Sequence, residues 1–284
     1  MTVLRGFILA AGLILLSAAG VCVQCALHWL RLPAARTFPM YYHRAVCRLI
    51  GVRVRLNGAV DSSRPLMLVS NHVSWLDIPV IGSLAPLSFV AKQEVAGWPV
   101  FGLFAKLQRS VFIDRNRRRG AHEANAALAE RLKGGELMVL FAEGTSSDGN
   151  KVLPFRSAIL GAAEQAVGES HLDAVAIQPM AIAYTRLHGL PISRLERPLY
   201  AWYGDMDLLP HIWGVLKHGP VDVSLAFGPV HATSEFADRK ALARALEAEV
   251  RRMFNGAVYG MPPRAKPQRP GAAEPASAYR TREA

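Results

Sequence analysis

The chain has 284 residues, 51% of them hydrophobic and 19% charged, with a net charge of +11. That length allows one large domain or two small ones. The basic excess asks for an anionic partner, either nucleic acid or a membrane surface, and the apolar content argues against an ordinary soluble domain.

Residues 7–27 (FILAAGLILLSAAGVCVQCAL) carry no charge. About 20 such residues cross the apolar core of a bilayer as a helix. Arg5 and Arg31 flank the run, and Trp29 stands where an interfacial aromatic belongs. A cleaved signal peptide is the alternative, with Ser17-Ala18-Ala19 as its cleavage site, but the apolar run continues past that point. The reading is a retained membrane helix. Arg31, Arg36, Arg44 and Arg48 follow it, which puts the body of the protein on the cytoplasmic side. Cys22, Cys25 and Cys47 match neither zinc nor disulfide spacing and read as small apolar residues.

Residues 37–50 alternate apolar and basic side chains at helical spacing, as a helix on the membrane surface or a core helix does. Residues 52–56 alternate with period two and predict a half-buried strand. Short apolar runs at 66–69, 88–91, 110–113, 137–142, 174–183 and 221–227 predict further strands. Helices are expected over the Ala121, Ala124, Leu128, Leu132 stripe, closed by Gly134-Gly135, and over 155–167 and 235–254. Strands alternating with helices predict an α/β domain. The expected organisation is an anchor and interfacial helix over 1–50, a catalytic domain over 51–258, and a disordered Pro- and Ala-rich tail over 259–284. The basic run Arg115–Arg119 lacks interleaved aromatics for base stacking, so no nucleic-acid partner is expected.

Phosphate-loop, dinucleotide-binding, zinc-protease and nucleophile-elbow motifs are all missing from the sequence. What stands out is Asn71-His72-Val73-Ser74-Trp75-Leu76-Asp77, directly after the 66–70 strand. A neutral imidazole backed by a carboxylate takes a proton from a hydroxyl near neutral pH. The plain alternative is a turn in which Asn71 caps a helix and Asp77 is solvated on it. Three segments follow in order: Val111-Phe112-Ile113-Asp114-Arg115, Phe141-Ala142-Glu143-Gly144-Thr145-Ser146-Ser147, and Ile177-Gln178-Pro179-Met180.

Together, at these separations, the four segments resemble the 1-acylglycerol-3-phosphate acyltransferase family over roughly residues 50–230. The resemblance implies a single α/β acyltransferase domain with a central mixed sheet flanked by helices, preceded by the membrane helix. It implies a bacterial inner-membrane enzyme that acylates a lysolipid from acyl carrier protein or coenzyme A, with no cofactor and no metal. By the same resemblance His72 is the general base and Asp77 orients it. Asn71, Lys92, Arg115, Glu143, Gly144, Thr145, Ser146, Asp148, Arg156 and Pro179 are the expected substrate-binding residues. Arg115 has a second reading, as a partner of Asp114 or of lipid head groups.

Two positions depart from the family pattern. Ala142 replaces the proline before the glutamate, and Ser146 replaces the arginine expected to grip an acceptor phosphate. A serine hydroxyl does not reproduce a bidentate guanidinium. With Asp148 and the Trp202–Pro210 segment, this resembles the lyso-ornithine lipid acyltransferase branch. Lysophosphatidic acid stays open as acceptor through Arg156, and a non-catalytic lipid-binding protein is the remote alternative. Residues 98–104 and 208–216 are expected either to line an acyl path or to belong to the core.

Overall fold

The computed structural model describes residues 2–113, 118–161 and 175–260, with side chains from residue 126 onward in the helix that begins at Arg118. Arg115, the segment from Met261 onward and the second half of the helix expected over 155–167 lie outside the described residues.

Among the described residues nine strands form one sheet. They are β1 (Val52–Asn57), β2 (Leu66–Ser70), β3 (Ser88–Lys92), β4 (Val111–Ile113), β5 (Leu137–Phe141), β6 (Ala176–Leu187), β7 (Leu190–Pro191), β8 (Val221–Phe227) and β9 (His231–Ala232). The main order is β1-β8-β6-β2-β5-β3-β4. The block β6-β2-β5-β3-β4 is parallel, β8 runs antiparallel to β6, and β1 runs parallel to β8. The sheet is therefore mixed.

Both faces of the parallel block are covered, which is why β2 and β5 read as continuous apolar runs. Alternate residues serve opposite layers. Met67, Val69, Met138 and Leu140 join one core, while Leu66, Leu68, Leu137 and Val139 join the other. The first core is closed by α5 (Arg118–Lys133) and α7 (Arg239–Tyr259). Asp238 caps helix α7, its carboxylate accepting from Lys240 N at 2.8 Å and Ala241 N at 2.7 Å. Its start is four residues later than the periodicity predicts, because Thr233–Glu235 forms a 3₁₀ turn.

The second core lies under α2 (Ala34–Ile50), α3 (Asp77–Gly82) and α6 (Leu208–His218). Between β3 and β4 stands the short α4 (Phe101–Leu107). Of the two readings for residues 37–50, the core helix is the one observed: Val46, Cys47 and Ile50 of α2 pack against the sheet.

Helix α1 (Thr2–Trp29) is long and apolar enough to cross a membrane. It lies along the domain from end to end. Arg5 donates to the carbonyls of Leu216 at 3.0 Å and Lys217 at 3.4 Å, at the electronegative end of α6. Phe7 packs on Trp213 with ring centroids 4.9 Å apart. Ser17 and Tyr42 share a 2.8 Å hydrogen bond, and Gln24 donates to Ala35 O at 2.9 Å and Leu107 O at 3.1 Å. Gly20 permits this approach, since a Cβ there would sit 2.9 Å from the Tyr42 ring. Away from these contacts α1 leaves Leu4, Ile8, Ile14 and Leu15 exposed.

Candidate active site

The carboxyl ends of parallel strands are where an α/β sheet opens a crevice for ligands. Here β5 inserts between β2 and β3, and Ser70 pairs with Phe141. The segment leaving β2 therefore emerges beside the one leaving β5. The His72 ring stacks on the Phe141 ring, with centroids 4.0 Å apart.

His72 Nδ1 lies 2.7 Å from Asp77 Oδ2. Asp77 is fully buried, and the His72 side chain is 20% exposed. The same carboxylate oxygen accepts from Val73 N at 2.7 Å and Ser74 N at 3.0 Å, and the other accepts from the Tyr184 hydroxyl at 2.7 Å. Four donors thus converge on one buried carboxylate. Facing an acceptor, Nδ1 carries the imidazole proton and Nε2 is left with its lone pair. The solvated Asp77 of the plain reading is thus excluded. So is Asn71 as a helix cap: its side chain donates to Ile182 O at 3.0 Å and accepts from Ile182 N at 2.9 Å, continuing the β2–β6 ladder beyond its last backbone pair.

Glu143 has a different task from the head-group contact expected of it. It is 1% exposed, and its two oxygens accept from His72 N at 3.0 Å and Leu153 N at 2.7 Å. Burial pushes its pKa up to about 8, against the pull of those two backbone N–H groups. It anchors the backbone that carries His72. Gly144 follows in the left-handed region at φ 72, where glycine turns the chain without a Cβ clash.

Ser146 donates its hydroxyl to the Trp202 carbonyl. Trp202 N donates to Val73 O at 2.9 Å, and Ser147 N donates to His72 O at 2.9 Å. These bonds zip three loops together around His72. At their edge Trp202 meets Trp98 edge-on, with centroids 5.8 Å apart. Asp148 is turned onto its own loop: its oxygens contact Asn150 N at 3.0 Å and Asn150 Nδ2 at 3.3 Å. The exposed Arg156 donates from Nε to Glu143 O at 3.2 Å, which keeps its guanidinium near the site.

Lys92 ends β3 and is exposed; Val90 pairs with Leu140, which sets Lys92 level with Ala142. Thr145 is also exposed. Pro179 is not brought to His72. It lies inside β6 opposite Val69, its ring packed toward Gly228. Segment 98–104 is partly α4 and segment 208–216 lies in α6, both with exposed apolar residues such as Val100, Leu103 and Leu209.

Tyr184 is the functional residue that sequence reading missed. It sits in a long apolar strand, and only the β6–β2 pairing aims its hydroxyl at Asp77. Replacing Tyr184 with Phe leaves Asp77 Oδ1 without its donor. The expected loss is about 1–3 kcal/mol of stability and roughly tenfold in turnover. A variant with wild-type melting and wild-type turnover would refute that role.

This fold and this site are those of an acyltransferase. Residues 51–183 match the family model described as Acyltransferase. The lyso-ornithine lipid O-acyltransferase of Brucella abortus is 47% identical over 258 residues, 90% of this chain and 96% of that protein. The protein of the same name from Rhizobium meliloti is 43% identical over 249 residues, 87% of this chain and 85% of its own. The 1-acyl-sn-glycerol-3-phosphate acyltransferase of Neisseria meningitidis serogroup B is 33% identical over 222 residues, 75% of this chain and 82% of its own. The chain belongs to this acyltransferase family. A crystal structure of the 1-acyl-sn-glycerophosphate acyltransferase of Thermotoga maritima shares the fold, at TM-score 0.64 and 21% identity over 90% of this chain and 97% of that one.

Proposed function

We propose that this protein moves a fatty acyl group from a carrier thioester to the free hydroxyl of a lysolipid, and that the lysolipid is lyso-ornithine lipid. The observation that carries the reaction is the buried Asp77, which fixes the His72 tautomer and leaves Nε2 as the base. Nε2 takes the proton of the acceptor hydroxyl while that oxygen attacks the thioester carbonyl. Asp77 stays ionised and offsets the imidazolium charge. As the tetrahedral intermediate collapses, the carbon–sulfur bond breaks and Nε2–H returns the proton to the leaving thiolate. The products are an ester and a free thiol. Positioned proton transfer of this kind contributes on the order of 10²–10⁴-fold. The step as written uses neither metal nor cofactor. Its donor is a thioester of acyl carrier protein or of coenzyme A.

The acceptor reading rests on Ser146 and on the relatives named for lyso-ornithine lipid. Where a phosphate acceptor calls for a guanidinium, this chain has a hydroxyl already engaged by the Trp202 carbonyl. Arg156 supports the second reading, lysophosphatidic acid. Purified protein given acyl-carrier thioester with each acceptor in turn, with products resolved by mass, is expected to favour lyso-ornithine lipid by at least about tenfold. A preference for the phosphate acceptor would reverse the assignment.

The apolar face of α1 supports a membrane seat at the cytoplasmic leaflet of a bacterial inner membrane. Because α1 is held to the domain from Arg5 to His28, it seats the enzyme lengthwise on one leaflet rather than crossing the bilayer alone.

A further inference from the structure

An open cleft of about 540 Å³ lies where α1 turns into α2, and its lining includes Arg31, Arg36 and Arg109. It runs into a smaller one of about 180 Å³, which shares Arg36 and Arg109 and adds Arg64 and Glu136. Ser88 and Leu137, the first residues of β3 and β5, also line the smaller cleft. The clefts therefore lie at the amino ends of the strands, opposite His72. A five-residue strand separates the two ends by about 17 Å.

The charge there is unbalanced. Glu136 bonds both Arg109, at 2.9 Å, and Arg131, at 3.2 Å. Arg64 donates only to the backbone carbonyls of Asp61 and Ser63. Arg31 and Arg36 have no acidic partner and no side-chain hydrogen bond among the described residues. Among the described residues Arg31, Arg36, Arg109 and Arg131 thus have Glu136 as their shared carboxylate, while Arg64 lies beside Asp61. Arg109 is held in the left-handed region at φ 62, with its carbonyl accepting from Arg131 Nη2 at 3.3 Å. Partial burial, with Arg131 and Arg36 nearby, pulls its pKa down despite Glu136. An anion would relieve that repulsion.

We infer that this cleft binds the phosphate group of an anionic membrane phospholipid. Guanidinium forks match a phosphate bidentately. The rim argues for a lipid over a free anion: Trp29 is 81% exposed, Leu30 54% and Leu32 43%, all beside the arginines. The arrangement, apolar side chains dipping past a basic pocket, is that of a head-group site at a membrane surface. The carrier of the acyl donor is a poorer occupant, because the cleft opens at the end of the sheet away from the base. The inference rests on the membrane seat proposed above and is independent of the acyl-transfer reading.

The test is sedimentation of the full chain with phosphatidylcholine vesicles, with and without phosphatidylglycerol. Wild type is expected to bind more tightly when phosphatidylglycerol is present. Arg31→Gln/Arg36→Gln should lose about tenfold or more of that gain. Arg53→Gln/Arg244→Gln removes the same charge from exposed positions elsewhere and should lose less than about twofold. Acyl transfer in detergent should be unchanged in both, which shows that they fold. Native mass spectrometry should find one phosphatidylglycerol retained by wild type and none by Arg31→Gln/Arg36→Gln. Equal losses in the two pairs, or displacement of the lipid by inorganic phosphate alone at equal affinity, would overturn the site. Binding that ignores phosphatidylglycerol overturns it too. No binding to either vesicle overturns the membrane seat itself.

Discussion

Acyl transfer by the His72→Ala variant is expected to fall by at least about 10²- to 10⁴-fold, with thermal unfolding close to wild type. The ring is partly exposed and stacks on Phe141 at the edge of the site, so its loss removes a limited part of the buried surface. Asp77→Asn should behave differently. Its activity loss is expected on the order of 10⁴, because an amide cannot hold the Nδ1–H tautomer as a carboxylate does. It should also be less stable, since a carboxylate buried under four donors is replaced by a group that accepts at one oxygen only. Single-turnover rates and melting curves for both variants separate the two effects. Wild-type transfer by His72→Ala would remove the proposed chemistry. Equal melting of Asp77→Asn and wild type would show that the donors around Asp77 contribute little.

The second large effect concerns Glu143 and pH. Its folded pKa of about 8 stands above its ordinary value of 4.5, so across that window the folded state binds more protons than the unfolded one. The contribution of this group to stability is fully present below pH 4.5 and is lost as pH rises through about 8. Glu143→Gln removes the titration. The difference in melting temperature between wild type and Glu143→Gln should therefore shrink as pH rises across the window. At low pH the variant should be less stable by roughly 1–3 kcal/mol, because its amide NH₂ cannot accept from one of the two backbone N–H groups. Turnover should drop as well, since one of those groups is the N–H of His72 and small displacements of a base are costly. Parallel melting curves at every pH would show that Glu143 does not titrate in this range.

The strand pattern was legible because both faces of the parallel block are buried, so the runs at 66–69 and 137–141 carry no polar interruption. The same runs hid Tyr184, whose polar end is satisfied by a residue 107 positions away. Glu143 and Asp148 read as charges available to a substrate, since a sequence shows a carboxylate's presence and not its occupants. The apolar run at 7–27 matched the length of a membrane span, and nothing in its composition shows that Gly20, Gln24 and Arg5 fasten it to the domain.

By itself, the sequence determined the family: a histidine and an aspartate five positions apart at a strand end, followed by ordered segments of one acyltransferase family. Local spacing sufficed there, because His72 and Asp77 meet within one turn of chain. The tertiary structure decided which other groups serve that pair. Parallel pairing of β2 with β5 and β6 brought Phe141, Glu143, Ser146 and Tyr184 to it, and turned Pro179 away. Those contacts depend on register across separate strands, and register is set by the burial of two whole sheet faces rather than by any one motif.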